Sequence, residues 1–183
     1  MKFTSTEIEG LMILEPTVFT DNRGTFIESF HAKSFKQNGI DAEFVQDNQS
    51  VSRLGVIRGL HFQESPHGQG KLVRVAFGRA LDVVVDIRKG SATYGKSFSI
   101  ELSSENNKLL WIPEGFAHGF EALSDQVIFS YKVTQYYNQS AERGILFNDP
   151  ELGIKWHCKT PIVSEKDLGL PKFRQYAELS NKI

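Results

Sequence analysis

Gly55-Val56-Ile57-Arg58-Gly59-Leu60-His61-Phe62-Gln63 and, further along, Pro113-Glu114-Gly115-Phe116-Ala117-His118 decide how this chain is read. The first has a glycine, five residues and then His-x-Gln; the second is Pro-x-Gly-x-x-His. Around them the apolar period is two, as strands require. Lys71-Leu72-Val73-Arg74-Val75-Ala76-Phe77 is rich in β-formers and stops at the turn signal Gly78-Arg79-Ala80. Leu81-Asp82-Val83-Val84-Val85-Asp86-Ile87 follows, closed by Arg88-Lys89-Gly90-Ser91. Residues 97–102 alternate, a polar turn over 103–108 leads into Leu109-Leu110-Trp111-Ile112, and Val127-Ile128-Phe129-Ser130-Tyr131-Lys132-Val133 is a further strand. Short strands at this spacing predict an antiparallel sandwich or barrel. The best helix candidate is 32–38, stopped by Gly39, and 164–168 reads as another turn. The tail, 172–183, is polar and expected to pack loosely on the outside.

Composition bounds the class. A chain of 183 residues is long enough for one domain with a sizeable core. Hydrophobic residues at 40% and charged ones at 23% are ordinary for a soluble globular protein. The formal net charge of -1 provides no field that would gather nucleic acid or an anionic membrane. No apolar run approaches the roughly 20 residues that span a bilayer, and the first residues lack the apolar core of a signal peptide. Cys158 is the single cysteine and cannot form an internal disulfide, which favours a reducing compartment. The expectation is a cytoplasmic protein without nucleic-acid or membrane partners.

The two opening motifs resemble the half-motifs of the cupins, small β-barrels that place site residues in the barrel mouth. The resemblance implies an all-β fold: a cupin-type antiparallel β-barrel or jelly roll with a few short peripheral helices, one domain over 1–183. A metal-binding cupin carries His-x-His in the first half-motif, where this chain has His61-x-Gln63, with Arg58 three residues before the histidine. Glutamine is a poor ligand for the usual transition metals, so the pattern points to a metal-free barrel using its histidine as a base.

Several polar clusters admit plain readings as well. Asp21-Asn22-Arg23-Gly24-Thr25-Phe26-Ile27-Glu28 is either a solvated hairpin or a ligand-contacting one. Gln46-Asp47-Asn48-Gln49-Ser50 reads by composition as a loop. Gly59, between Arg58 and His61, lets the backbone approach something closely. A lone strand histidine is ordinarily structural, but the arginine, the glycine and His118 shift that balance. Lys71 could be an exposed strand end, and Tyr131, Tyr136 and Tyr137 could be core aromatics with wet hydroxyls.

In family order, however, the clusters resemble the dTDP-4-dehydrorhamnose 3,5-epimerase family over about residues 1–172. The matching stretches include Asp21-x-Arg23-Gly24-x-Phe26-x-Glu28, Phe44-Val45-Gln46-Asp47-Asn48, the 55–63 motif, Gln69-Gly70-Lys71-Leu72-Val73-Arg74 and Trp111-Ile112-Pro113-x-Gly115-Phe116-Ala117-His118-Gly119-Phe120. Tyr131-Lys132-Val133-Thr134-x-Tyr136-Tyr137, Asn148-Asp149-Pro150 and Ser164-Glu165-Lys166-Asp167 complete the series. Gln49 stands where the family often has histidine and Phe147 where it often has tryptophan; neither carries a proposed chemical role.

Inverting a carbon beside a ketone requires a base, fixed positive charge at the developing enolate oxygen, and an acid on the opposite face. A neutral histidine, with an unperturbed pKa of about 6.5, suits the base. The resemblance implies His61 as that base, paired with Asp167, Lys71 near the enolate oxygen with Arg58 and His118 close by, and Tyr131 as the acid. It further implies Arg23, Phe26, Glu28, Gln46 and Asn48 at the nucleotide, Tyr137 stacked on thymine, and Glu142 and Lys166 as ligand contacts. In the family the segment bearing Arg23, Phe26 and Glu28 crosses to a neighbouring subunit, which implies a homodimer. The implied reaction is 3,5-epimerisation of dTDP-4-dehydro-6-deoxy-α-D-glucose to dTDP-4-dehydro-β-L-rhamnose, feeding L-rhamnose synthesis without a cofactor or metal. The alternatives are a single-carbon 3- or 5-epimerase, a ketoisomerase on the same barrel, a metal-dependent cupin using His61 and His118, and a non-catalytic sugar-nucleotide binding module.

Overall fold

A computed structural model of the chain describes residues 1–180. Its strands begin with β1 (Lys2–Ser5), β2 (Met12–Glu15), β3 (Val18–Asp21) and β4 (Gly24–Ile27). They continue with β5 (Gln46–Ser52), β6 (Ile57–Gln63), β7 (Lys71–Phe77), β8 (Arg79–Asp86) and β9 (Ser97–Ser103). The last are β10 (Leu109–Ile112), β11 (Phe116–Ala122), β12 (Val127–Val133) and β13 (Glu142–Gly144). Three short helices, α1 (Ala32–Gln37), α2 (Glu165–Leu168) and α3 (Phe173–Ser180), lie outside the strands.

Two sheets face one another, ordered β1-β2-β10-β7-β12-β5 and β13-β6-β11-β8-β9, with every pairing antiparallel. The expected cupin-like, antiparallel β architecture with few short helices therefore forms. Strand alternation decides which side chains enter the space between the sheets. From the first sheet come Val73, Val75, Leu110, Ile112, Val127 and Phe129; from the second, Val84, Leu102, Phe116 and Phe120. Phe120 and Phe129 stack with ring centroids 4.1 Å apart, tying the two walls together.

The residues of opposite parity point outward and are also buried. Leu81, Val83 and Val85 of β8 lie under Ile145, Leu152 and Phe173, while Leu72 and Leu109 lie under Phe35 and Ile40. That second covering explains why β8 reads as a nearly continuous apolar run: a strand buried on both faces has no polar side to show.

The helix expected over 32–38 forms as α1, capped by His31 Nδ1 accepting from the Ser34 N–H, and Gly39 exits at φ +87°. Two expectations fail. The Gln46–Ser50 run is not a loop but most of β5, hydrogen-bonded along β12. The tail does not pack loosely: α3 buries Phe173, and Tyr176 meets the Phe62 ring at 5.0 Å between centroids. Its low mean hydropathy hid an apolar stripe of residues three apart. Residues 181–183 lie outside the described part.

Candidate active site

The two walls enclose an open cavity of about 790 Å³ floored by Phe120 and Phe129. His61, Arg58, Lys71, His118, Tyr131, Gln46, Asn48, Tyr137, Glu142, Lys166 and Asp167 all line it. Eleven of the fourteen residues singled out from sequence thus meet in one place. Arg23, Phe26 and Glu28 do not.

His61 and Asp167 meet because of a helix cap. Ser164 Oγ accepts the Asp167 N–H at 3.1 Å and starts α2, which delivers the Asp167 carboxyl to β6. Asp167 Oδ1 lies 2.7 Å from His61 Nε2, and its Oδ2 accepts the Gly59 N–H at 3.1 Å. Burial raises the Asp167 pKa, but hydrogen bonds and charge from His61 and the Gly59 N–H outweigh it, so the carboxyl sits below its ordinary range. An ionised carboxylate only accepts, so the neutral imidazole carries its proton on Nε2 and keeps a basic lone pair on Nδ1.

Gly59 does what its position suggested. It adopts φ +119°, and a Cβ there would lie 2.6 Å from Gly119 Cα and 2.7 Å from the His118 carbonyl oxygen. The close approach of β6 to β11 puts His61 directly opposite His118 in the strand register.

His118 is buried and its Nε2 lies 2.8 Å from Asp82 Oδ2. Burial lowers the His118 pKa, the Asp82 charge opposes this, and Lys71 and His61 push it further down. Asp82, fully buried with Oδ1 lacking a hydrogen-bond partner among the described residues, was missed from sequence. The available signal was a carboxylate at an inward position of the otherwise apolar stretch Leu81-Asp82-Val83-Val84-Val85.

Lys71 opens β7 on the facing wall, 7% exposed, and its Nζ donates to the His61 carbonyl oxygen at 3.2 Å. Burial lowers its pKa to about 8 despite Asp82 and Glu142, so at neutral pH the buried ammonium is still mostly charged. Tyr131 is on β12 beside Asn48 of β5. Burial raises its pKa above that of a free phenol, with Arg58 pulling the other way, so it holds a donatable proton at neutral pH. Arg58 Nε donates to Ser52 Oγ at 3.1 Å. On β5 the inward row is Gln46, Asn48, Ser50 and Ser52: these polar side chains face the cavity, not an apolar core.

At one side of the mouth, Glu142 Oε2 accepts from Lys166 Nζ at 2.6 Å and from the Tyr137 hydroxyl at 2.9 Å. Burial raises the Glu142 pKa, but these two partners leave it lowered overall. Gln63 is already engaged. Its Nε2 donates to the His67 and Tyr136 carbonyls and its Oε1 accepts the Asn138 N–H at 2.6 Å. Among the described residues no group of three or more His, Cys, Asp or Glu side chains is arranged to hold a metal ion.

Arg23 and Phe26 lie on the β3–β4 hairpin, which pairs with neither main sheet. Arg23 Nη2 holds Asp21 Oδ2 at 2.6 Å, and Phe26 is 67% exposed. Glu28 follows β4, likewise outside the cavity lining.

Comparison with known proteins adds the following. Residues 5–175 match the family model described as dTDP-4-dehydrorhamnose 3,5-epimerase. A protein of that name from Shigella flexneri is 51% identical over 174 residues, covering 94% of this chain and 96% of that one. A crystal structure of dTDP-6-deoxy-D-glucose-3,5-epimerase from Legionella pneumophila Philadelphia 1, in complex with dTDP-4-keto-L-rhamnose, superposes with a TM-score of 0.93. It is 46% identical and covers 97% of this chain and 96% of its own. A 3'-monoepimerase from Streptomyces bikiniensis in complex with dTDP-quinovose gives a TM-score of 0.91 at 34% identity, covering 96% and 89%.

Proposed function

The chain belongs to the dTDP-4-dehydrorhamnose 3,5-epimerase family, and from that we propose how its residues divide the reaction. The enzyme inverts C3 and C5 of dTDP-4-dehydro-6-deoxy-α-D-glucose to give dTDP-4-dehydro-β-L-rhamnose, a step of dTDP-L-rhamnose biosynthesis. His61 Nδ1 removes the proton α to the C4 ketone, and Asp167 stabilises the imidazolium that forms. Lys71 Nζ, with Arg58 and His118 nearby, stabilises the enolate oxygen. Tyr131 then delivers its phenolic proton to the opposite face of the same carbon, and solvent exchange resets both groups. The observation that carries this reading is the placement of base and acid: His61 stands on β6 in one wall and Tyr131 on β12 in the other.

The metal-dependent reading is weakened by the donor set. Gln63 is consumed by backbone contacts, and His61 and His118 each face a carboxylate through Nε2. The single-carbon reading has a specific basis, because a 3'-monoepimerase shares this architecture at a TM-score of 0.91. Incubation of the 4-keto sugar nucleotide with the enzyme in D₂O separates the two. Deuterium is expected at both C3 and C5, with Tyr131→Phe depleting incorporation at one carbon more than the other. Incorporation at C3 alone in the unaltered enzyme would make it a single-carbon epimerase.

Arg23, Phe26 and Glu28 complete the nucleotide site of a second copy, making a homodimer. Supporting this, the unattached β3–β4 hairpin presents Val18, Phe19 and Phe26 to solvent, an apolar surface that a monomer gains nothing by exposing. Sedimentation should give twice the chain mass of 20.7 kDa, with Phe26→Asp shifting it to the monomer and weakening dTDP binding. A monomeric unaltered protein that binds dTDP fully would overturn the shared site. A cytoplasmic location fits the unpaired Cys158, and recovery of the enzyme in a secreted fraction would refute it.

A further inference from the structure

The four residues after β12 and Thr134 carry Tyr137 to the cavity mouth, yet they join no sheet. Five of their backbone groups are held instead by glutamine side chains. Gln69 Nε2 donates to the Gln135 carbonyl at 2.7 Å, and Gln46 Oε1 accepts the Tyr137 N–H at 3.1 Å. Gln63 supplies two contacts, donating to the Tyr136 carbonyl at 3.2 Å and accepting the Asn138 N–H at 2.6 Å. Its second donor reaches the His67 carbonyl at 2.7 Å, binding the loop after β6 into the same knot. Gln63 is itself buried, so each of these hydrogen bonds replaces contacts that water cannot supply.

Gln63 also stands two residues from His61 on the same strand, with Glu142 as its cross-strand neighbour on β13. One strand therefore references both the proton-abstracting imidazole and the turn that presents Tyr137. We propose that Gln63 is a positioning residue for the nucleoside: its carboxamide fixes the Tyr136–Asn138 turn so that Tyr137 meets the base of the dTDP group. The position that would hold a ligand in a metal-binding barrel is here a peptide clamp. This rests on Tyr137 being a nucleotide contact, as read above.

A double-mutant cycle on dTDP binding, measured by calorimetry on the full chain, tests it. Gln63→Met keeps the length of the side chain and removes all three hydrogen bonds. It is expected to weaken dTDP binding about tenfold, by misplacing Tyr137, while turnover at saturating substrate falls by less than about threefold. In a Tyr137→Ala background the same change should cost under about twofold, because the platform it positions is gone. Additive losses across the cycle, or equal falls in kcat and kcat/KM, would overturn the proposal and leave Gln63 a structural residue. Gln63→Glu retains size and the acceptor for the Asn138 N–H but loses both donors. It provides the reading if Gln63→Met does not fold, and affinity equal to the unaltered enzyme would show that the donated bonds do not matter. Unchanged dTDP affinity in Tyr137→Ala alone would instead remove the nucleotide-contact reading, whatever Gln63 does.

Discussion

His61→Ala is expected to reduce turnover by about 10³–10⁴-fold, the scale for deleting a positioned general base, while dTDP binding stays within about threefold. The split follows from where the contacts lie. In the proposed assignment, Gln46, Asn48, Tyr137 and Lys166 of the cavity lining and the hairpin of a second copy hold the nucleotide, whereas His61 Nδ1 is left for the sugar ring. The loss should appear as absent deuterium incorporation at both carbons, since neither proton leaves without a base. Tyr131→Phe differs in kind, because proton removal survives and only its return is impaired. Asp167 is left with Gly59 N–H as a partner for one oxygen, so some loss of stability accompanies the change. Retention of a tenth or more of the turnover would move the base to another residue.

The fold was legible where side chains alternate apolar and polar, and the site only where a motif fixes the backbone. Val127–Val133 is found as read, because half its residues meet an apolar core and declare the period. β5 was not, since its inward row of Gln46, Asn48, Ser50 and Ser52 faces a wet cavity and leaves no apolar alternation to detect. His61 and His118 were brought together by the resemblance of their two motifs to the cupin half-motifs, and the structure sets them opposite one another on adjacent strands. Asp167 could not: it is 106 residues from His61, and its delivery depends on a four-residue helix capped by Ser164. Only resemblance to the family supplied it. Asp82 went unread although its charge in an apolar strand marked it, because the same stretch contains Asp86, whose carboxylate is consumed by Arg88, Ser91 and Thr93 in a turn. Sequence shows two similar aspartates; the partners differ only in three dimensions. Arg23, Phe26 and Glu28 illustrate the complementary limit, since one chain does not contain the cavity they are expected to complete.

Lys71→Met should slow turnover by about 10²–10³-fold while making the folded chain more stable, two effects of opposite sign from one charge. Burial depresses the Lys71 pKa from 10.5 to about 8. At neutral pH the fold therefore carries a buried cation it would rather release, at a cost of roughly 3 kcal/mol at ~1.4 kcal/mol per pH unit. Methionine removes that cost but leaves the His61 carbonyl without its donor, giving back about 1 kcal/mol. A net gain of about 2 kcal/mol in urea denaturation at pH 7 is expected. The sign of the pH dependence follows from proton counting. Between about 8 and 10.5 the unfolded chain holds a proton on Lys71 that the folded one has lost, so stability of the unaltered enzyme rises with pH across that window. Below it the penalty is present in full, and Lys71→Met should lack this contribution altogether. Activity runs the other way: kcat/KM, which reports the free enzyme, should fall as pH climbs through about 8 and the cation is lost. A Lys71→Met variant that is less stable at pH 7 and keeps most of its turnover would show that the lysine supports the fold and takes no part at the enolate. The opposite pair of results would place the strain of burying an ammonium where the reaction needs positive charge, in a cavity whose floor is Phe120 and Phe129.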